Sequence, residues 1–340
     1  MDNAYNRTLS RNDPKFKLWR SVGIMLTYQC PAACGCCYVF SAPDVGDPGE
    51  MSFELAYSTW LATIALTGDT GSIHLTGGEP FLRYDLLKKL LKQAQIDHIG
   101  GLEKIETNAA WCVNDELTRR RFSELAELGL AKLQISTDIY HQQYVPTKNL
   151  QRAIRIATEV FGPERLQVRW REFADNPVHS ENMNESELAE AFKAALTKIP
   201  ERMVGRAAEI LAPLVTQHSY ESLAGKSCHK GHLGAKGVHI DGWGNVFSST
   251  CIGIITGRVT EQYTIKDLWL DYDFNNHPIW SILTTGGAWQ LAENARQLGF
   301  EPAKTYASKC HLCYCTRKWL FTNGHYPEHL GPAICYGQCQ

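Results

Sequence analysis

The chain has 340 residues, 44% of them hydrophobic and 21% charged, an ordinary globular balance with room for a large core. A net charge of −2 gives no global positive field and argues against DNA or RNA as a partner. The polar first twenty residues lack the apolar stretch of a signal peptide, and nothing approaches the roughly 20 uncharged apolar residues of a membrane span, so a cytoplasmic protein without a membrane partner is expected.

From residue 22 the predicted elements alternate with a regular beat. VGIMLTY (22–28) reads as a buried strand, followed by a cysteine-rich loop and the helix FELAYSTWLATIAL (53–66). SIHLTG (72–77) and the helix YDLLKKLLKQAQ (84–95) form a second unit, LEKIETN (102–108) and DELTRRRFSELAELG (115–129) a third. LAKLQISTD (130–138) with NLQRAIRIATEVFG (149–162) makes a fourth, and RLQVRWREF (165–173) with SELAEAFKAALTKI (186–199) a fifth. A short sixth strand, RMVGRA (202–207), closes the series. Short apolar runs alternating with amphipathic helices predict parallel strands in βαβ units, and the series has the character of an incomplete barrel. In such folds reactive groups gather at the C-terminal ends of the strands. The texture changes near residues 212–228, after which Gly, Cys and short segments dominate. The expected organisation is an N-terminal extension (1–21), the α/β unit (22–212) and a small Cys-rich domain (213–340).

In a cytoplasmic protein the twelve cysteines are expected to be metal ligands or catalytic thiols rather than disulfides. They fall into two groups, Cys30, Cys34, Cys36 and Cys37 near the start, and Cys228, Cys251, Cys310, Cys313, Cys315, Cys335 and Cys339 in the last third. Cys112 stands between them and reads as an ordinary buried small residue. Cys30, Cys34 and Cys37 form Cys-x-x-x-Cys-x-x-Cys directly after the first strand. Zinc prefers four ligands, whereas three thiolates in one loop suit three irons of a [4Fe–4S] cube and leave the fourth iron open. The alternative is a zinc knuckle with Cys36 as fourth ligand, at the cost of asking adjacent residues to reach one tetrahedral ion. The second motif, TGGEP (76–80), ends the second strand. Its glycines let backbone approach a ligand closely, and Glu79 with the exposed carbonyls can face an ammonium group. Alone, it would equally serve as a turn before a helix.

Cys30-x-x-x-Cys34-x-x-Cys37 after strand one, with Gly77-Gly78-Glu79-Pro80 after strand two, resembles the radical S-adenosylmethionine (SAM) superfamily. The resemblance implies a partial (β/α)6 TIM-like barrel, which matches the six predicted units. It also implies that a [4Fe–4S] cluster chelates SAM and that reductive cleavage gives a 5′-deoxyadenosyl radical that takes hydrogen from a substrate. One position departs from the family pattern. The residue before the last cysteine is usually aromatic, and here it is Cys36, with Tyr38 as a partial substitute beside the adenine.

Other strand ends acquire candidate SAM contacts on the same basis. Thr107 and Asn108 end strand three, while Ser136 and Asp138 end strand four. For Ser136 and Asp138 a helix cap is the competing role. Arg169 and Arg171 lie two apart on strand five and so share one face; an inward arginine needs an anion such as the SAM carboxylate. Arg206, ending strand six, is a candidate for SAM or substrate, or else a surface arginine at a helix start. His141 is either a substrate contact or simply solvated.

Cys228, Cys251, Cys310 and Cys313 supply four thiolates, enough for a fully ligated auxiliary [4Fe–4S] cluster or a structural zinc. GVHIDGWGNVFSSTC (237–251) between the first two reads as a hairpin. The arrangement is similar to the SPASM and twitch extensions of radical SAM enzymes. Cys315, Cys335 and Cys339 would serve a second cluster but lack one ligand; otherwise they are free thiols, any of which is a possible hydrogen-atom donor to a product radical. The resemblance implies modification of a peptide or protein side chain, with electrons from a reductase such as a flavodoxin or ferredoxin. Only about twenty residues precede strand one, so no leader-binding domain is expected there, which keeps a small metabolite such as a sugar or nucleoside as the alternative substrate. A non-enzymatic iron–sulfur electron-transfer protein is the alternative of another class.

Overall fold

The computed structural model describes residues 2–338. Five strands, β1 (Ser21–Met25), β2 (Ser72–Thr76), β3 (Leu102–Thr107), β4 (Leu133–Ser136) and β5 (Leu166–Arg169), pair in parallel, each with the next. After a two-residue strand, β6 (His218–Ser219), the chain returns as β7 (Gly237–Ile240), which lies parallel to β1 on its free side. β8 (Asn245–Ser248) and β9 (Gly257–Arg258) continue antiparallel from β7, and β10 (Thr305–Tyr306) pairs with β6. The main sheet therefore runs β5-β4-β3-β2-β1-β7-β8-β9.

The predicted helices lie between these strands, and their starts follow from capping. Ser52 accepts the Leu55 N–H at the head of Phe53–Thr67, and Asn114 accepts that of Leu117 at the head of Asp115–Glu127. The helix Tyr84–Ile96 buries Leu87, Leu90, Leu91 and Ala94, the stripe expected for a helix lying on a sheet. Val22, Ile24, Ile73, Leu75, Ile105, Leu133 and Ile135 fill the sheet face beneath such helices without exposure.

Two predicted strands need correction. RMVGRA (202–207) forms no ladder; Met203 and Val204 are buried, but the Arg206 N–H donates to the Cys37 carbonyl at 2.8 Å. Gly205 takes φ +57, and a Cβ there would stand 2.3 Å from the Tyr38 carbonyl. The Arg206 N–H thus goes to the cysteine loop instead of to β5. The fifth strand ends at Arg169, because Trp170 adopts φ 62 and a short helix, Arg171–Asp175, follows. Arg171 is therefore a helix residue, exposed, and does not share a strand face with Arg169.

Residues beyond 212 complete the sheet that the first two hundred begin. The predicted hairpin is β7–β8, turning on Asp241, whose carboxylate accepts the N–H groups of Trp243 and Asn245. The N-terminal extension also packs inward: Phe16 and Trp19 are buried, and the Asn3 amide donates to the Tyr272 carbonyl at 2.9 Å. No helix is long and apolar enough to cross a membrane among the described residues.

Candidate active site

The cysteine loop that follows β1 is pinned at several points. Cys30 N–H donates to the Ala42 carbonyl at 3.1 Å and Cys37 N–H to the Cys34 carbonyl at 3.1 Å. Arg206 adds two side-chain bonds, to the carbonyls of Cys34 at 3.1 Å and Ser41 at 2.9 Å. A candidate for SAM or substrate in the sequence, Arg206 clamps the loop and lies outside the cleft lining.

The second motif lies directly against this loop. Gly78 N–H donates to the Thr27 carbonyl at 2.7 Å and Glu79 N–H to that of Gln29 at 2.9 Å. A Cβ on Gly78 would stand 2.1 Å from the Gln29 oxygen, so only glycine lets the two backbones meet. Glu79 itself is a correction. Its carboxylate is fully buried and accepts from Phe81 N–H (3.1 Å), Thr107 hydroxyl (2.8 Å) and Asn108 N–H (2.8 Å). It braces the ends of β2 and β3 and offers no oxygen to the cleft. Burial outweighs these three bonds and pushes its carboxyl up to about 7.

What the loop and the strand ends enclose is a cleft of about 820 Å³, open solvent at its mouth included. Cys30, Cys34 and Cys37 line it together with Cys36, Tyr38, Gly77, Gly78, Pro80, Thr107, Asn108, Ser136, Asp138 and Arg169, all singled out in the sequence. Asp138 takes the helix-cap role, its carboxylate heading the helix Ile139–Gln142, and it also lines the cleft, where His141 Nδ1 lies 2.8 Å away. His141 is thus a held cleft residue rather than a solvated one. Sequence reasoning missed Thr76, Glu106 and Glu201. Thr76 and Glu106 face the barrel interior on alternate-residue positions of β2 and β3, a signal that periodicity carries. Glu201 comes from the irregular segment after the last long helix, where no pattern announces it.

Electrostatically the cleft is mixed. Burial disfavours the ionised Glu106, yet His74 and Lys104 outweigh it and hold that carboxyl below its usual range. Burial pushes Glu201 up to about 7 against the pull of Arg169. Cys36 Sγ, Asp138 and His141 have donor atoms within 4.8 Å of one another, the one such set of three among the described residues. A single zinc ion bound at about 2.3 Å would bring its thiolates within roughly 4 Å of each other. Cys30, Cys34 and Cys37 do not form such a close set of three.

The second thiol group converges elsewhere. Cys310 and Cys313 lie one turn apart on the helix Lys309–Thr322, Cys228 precedes the helix His229–Leu233, and Cys251 follows β8. Burial first, then the neighbouring sulfurs of Cys313, Cys251 and Cys310, push the Cys228 thiol up to about 12 against the pull of Lys309. Cys315 points away into a groove with Phe300, Tyr314 and Trp319. Cys335 is buried 3.8 Å from the Tyr28 hydroxyl, which donates to Asp241 at 3.1 Å. Neither lines the cleft, and Cys339 lies outside the described residues. Cys112 is fully buried in the core.

Residues 24–161 match the family described as the radical SAM superfamily, and the chain carries a radical SAM domain. It is 32% identical over 118 residues to "PqqA peptide cyclase" of Bradyrhizobium diazoefficiens, covering 34% of this chain and 28% of that protein. It is 29% identical over 136 residues to "Putative peptide biosynthesis protein YydG" of Bacillus subtilis, covering 39% of this chain and 40% of that protein. The matches thus span less than half of either relative. Among solved structures, anSMEcpe with bound AdoMet and Cp18Cys peptide is similar with a TM-score of 0.44 and 11% identity, over 89% of this chain and 97% of that one.

The radical SAM domain implies a [4Fe–4S] cluster and SAM as cofactors. The donors present fit them: the thiols of Cys30, Cys34 and Cys37, with Cys36 beside them, glycine backbone next to the loop, and polar strand ends around an open cleft.

Proposed function

We propose that the chain is a radical SAM enzyme that modifies a peptide or protein side chain. The observation that carries the radical chemistry is the convergence of Cys30, Cys34 and Cys37 on one cleft beside Gly77 and Gly78. The names of two relatives, a peptide cyclase and a peptide biosynthesis protein, support a peptide as the substrate class. A cluster and SAM held here would supply hydrogen-abstracting radical chemistry, one electron from the reductase cleaving SAM to methionine and a 5′-deoxyadenosyl radical.

The chain's own residues bind and shield. Cys30, Cys34 and Cys37 hold three irons, and the Arg206 clamp keeps their loop in place. Gly77, Gly78 and Pro80 give backbone to the SAM amino-acid portion, Arg169 answers its carboxylate, and Asn108, Ser136 and Asp138 orient the rest. Tyr38, half-buried against the His239 ring at 6.1 Å between centroids, walls the cleft next to Cys37. Residues 213–340 hold an auxiliary cluster on Cys228, Cys251, Cys310 and Cys313, and a flavodoxin or ferredoxin delivers electrons.

Anaerobic reconstitution with iron and sulfide, followed by SAM and dithionite, tests this reading. Formation of 5′-deoxyadenosine by the wild-type chain and its loss in Cys34→Ala are expected. No 5′-deoxyadenosine from the iron-loaded wild-type chain overturns the enzyme reading. Deuterium transfer from a labelled peptide into 5′-deoxyadenosine, against none from sugars or nucleosides, separates the two substrate classes.

A further inference from the structure

Arg317, on the helix Lys309–Thr322, is 1% exposed. Its Nη1 donates to the Ile252 carbonyl at 3.0 Å and to the Tyr336 hydroxyl at 3.1 Å, while its Nε has no partner. Among the described residues it forms no ion pair with an aspartate or glutamate. A guanidinium does not lose its proton, so the chain carries a full positive charge in its interior with only neutral oxygens around it. Such a charge is strongly unfavourable unless an anion sits beside it.

The groups that can be that anion are sulfurs. Cys313 lies one turn before Arg317 on the same helix, and the Ile252 carbonyl that accepts from the guanidinium adjoins Cys251. These are two of the four converging thiols. Arg202 approaches the same sulfurs from the solvent side, with Nη1 4.0 Å from Cys251 Sγ. Two cations on separate segments thus meet at one thiol cluster. A [4Fe–4S] core on four thiolates carries about two negative charges when oxidised and about three when reduced, a close match to this positive surround.

We propose that Arg317 is the buried counter-ion of an iron–sulfur centre held by Cys228, Cys251, Cys310 and Cys313, and that its fixed charge raises the reduction potential of that centre. The proposal rests on the auxiliary-cluster reading given above. A positive charge at contact distance favours the more negative, reduced form, and burial keeps solvent from screening it. Arg317 acts through the sulfurs and is a positioning and tuning residue. The redox step concerned is the one-electron reduction of the centre by dithionite.

The test uses the full chain with Cys30, Cys34 and Cys37 all changed to Ala, so that one cluster remains after anaerobic reconstitution. Iron content and the midpoint potential, followed by electron paramagnetic resonance, are measured for this background and with Arg317→Lys, Arg317→Gln or Arg202→Gln added. About four irons are expected in the background. At a fixed solution potential, Arg317→Gln should cut the ratio of reduced to oxidised centre about tenfold, a shift of about 59 mV for a one-electron couple. Arg317→Lys should shift less, and the exposed Arg202→Gln should shift in the same direction by a smaller amount. An iron-loaded Arg317→Gln with an unchanged midpoint overturns the proposal, as does a background that holds zinc and no iron. Loss of iron from Arg317→Gln but not from Arg317→Lys supports it; loss from both overturns it. 5′-Deoxyadenosine formation by the wild-type chain reports on the other cleft and is independent of these outcomes.

Discussion

The side-chain amide of Asn108 donates to the sulfur of Cys30 over 3.3 Å, inside a site where Asn108 is only 5% exposed. The orientation of that amide is fixed, because its Oδ1 accepts the Ala110 N–H at 2.9 Å and its backbone N–H is held by Glu79 at 2.8 Å. The nitrogen is left facing the sulfur. Asn108 therefore joins the GGEP turn to the cysteine loop: Glu79 positions Asn108, and Asn108 addresses the thiol of Cys30, a proposed iron ligand. A thiolate in this place loses water, and the N–H replaces part of what it loses.

Removing that donor should weaken the site without unfolding it. Hydrogen bonds to charged groups contribute about 1.5–3 kcal/mol. Asn108→Ala is expected to slow 5′-deoxyadenosine formation about tenfold in the reconstituted protein. Asn108→Asp keeps the oxygen for Ala110 but places a carboxylate against Cys30, and should be slower still. Initial rates normalised to bound iron check both, and two variants at the wild-type rate would remove Asn108 from the site's function.

Cys36 and Cys37 are neighbours in sequence with different surroundings. Burial pushes the Cys37 thiol up, with Arg206 opposing it, whereas Cys36 lies beside Asp138 and His141. Iron counts on single variants should separate them. Cys36→Ser is expected to keep the wild-type iron content and Cys37→Ser to lose about the four irons of one cluster. Equal losses would make Cys36 a ligand and return the loop to a different coordination scheme.

How far the sequence foretells this site depends on whether a residue acts through its place in the chain or through where its side chain points. The thiols at 30, 34 and 37 and the glycines at 77 and 78 act through spacing at strand ends, and both sets line the cleft as expected. Glu79 lies at the end of β2 as expected and Arg206 at a helix start instead of a strand end, and the side chains of both turn inward to brace and clamp, a direction fixed by packing partners far away in sequence. The addition of β7 beside β1 was hidden for the same reason, since register across more than two hundred residues leaves no local periodicity. Arg317 was invisible because a lone arginine in a helix reads as surface until its neighbours are known.

Gly78→Ala tests the contact between the two motifs. Its Cβ would stand 2.1 Å from the Gln29 oxygen and 2.6 Å from the Gln29 carbonyl carbon, both backbone atoms that cannot swing away. Overpacking of this kind costs about 1–3 kcal/mol. In domains of 150–250 residues each kcal/mol corresponds to roughly 2–4 °C of Tm, and a chain of this size should shift by no more than that per kcal/mol. SAM affinity should fall together with Tm, because the displaced loop lines the cleft. Unchanged Tm and SAM binding would mean that the loops separate at no cost.

Glu201 gives the stability of the protein a pH dependence with a definite sign. Burial, the largest influence, raises its carboxyl from the usual 4.5 to about 7 despite Arg169 nearby. A carboxyl that holds its proton more tightly when folded adds stability fully below about pH 4.5, and that contribution is lost as the pH rises through about 7. Glu201→Gln mimics the protonated form at every pH. The variant should match the wild type in Tm near pH 5 and exceed it increasingly by pH 7.5, since above about 7 the wild type confines a charge between the cleft's other acidic groups and a single arginine. Thermal melts at pH 5, 6, 7 and 7.5 read this directly. A Tm difference that stays constant across the series would show that the Glu201 carboxyl titrates alike in the folded and unfolded chain.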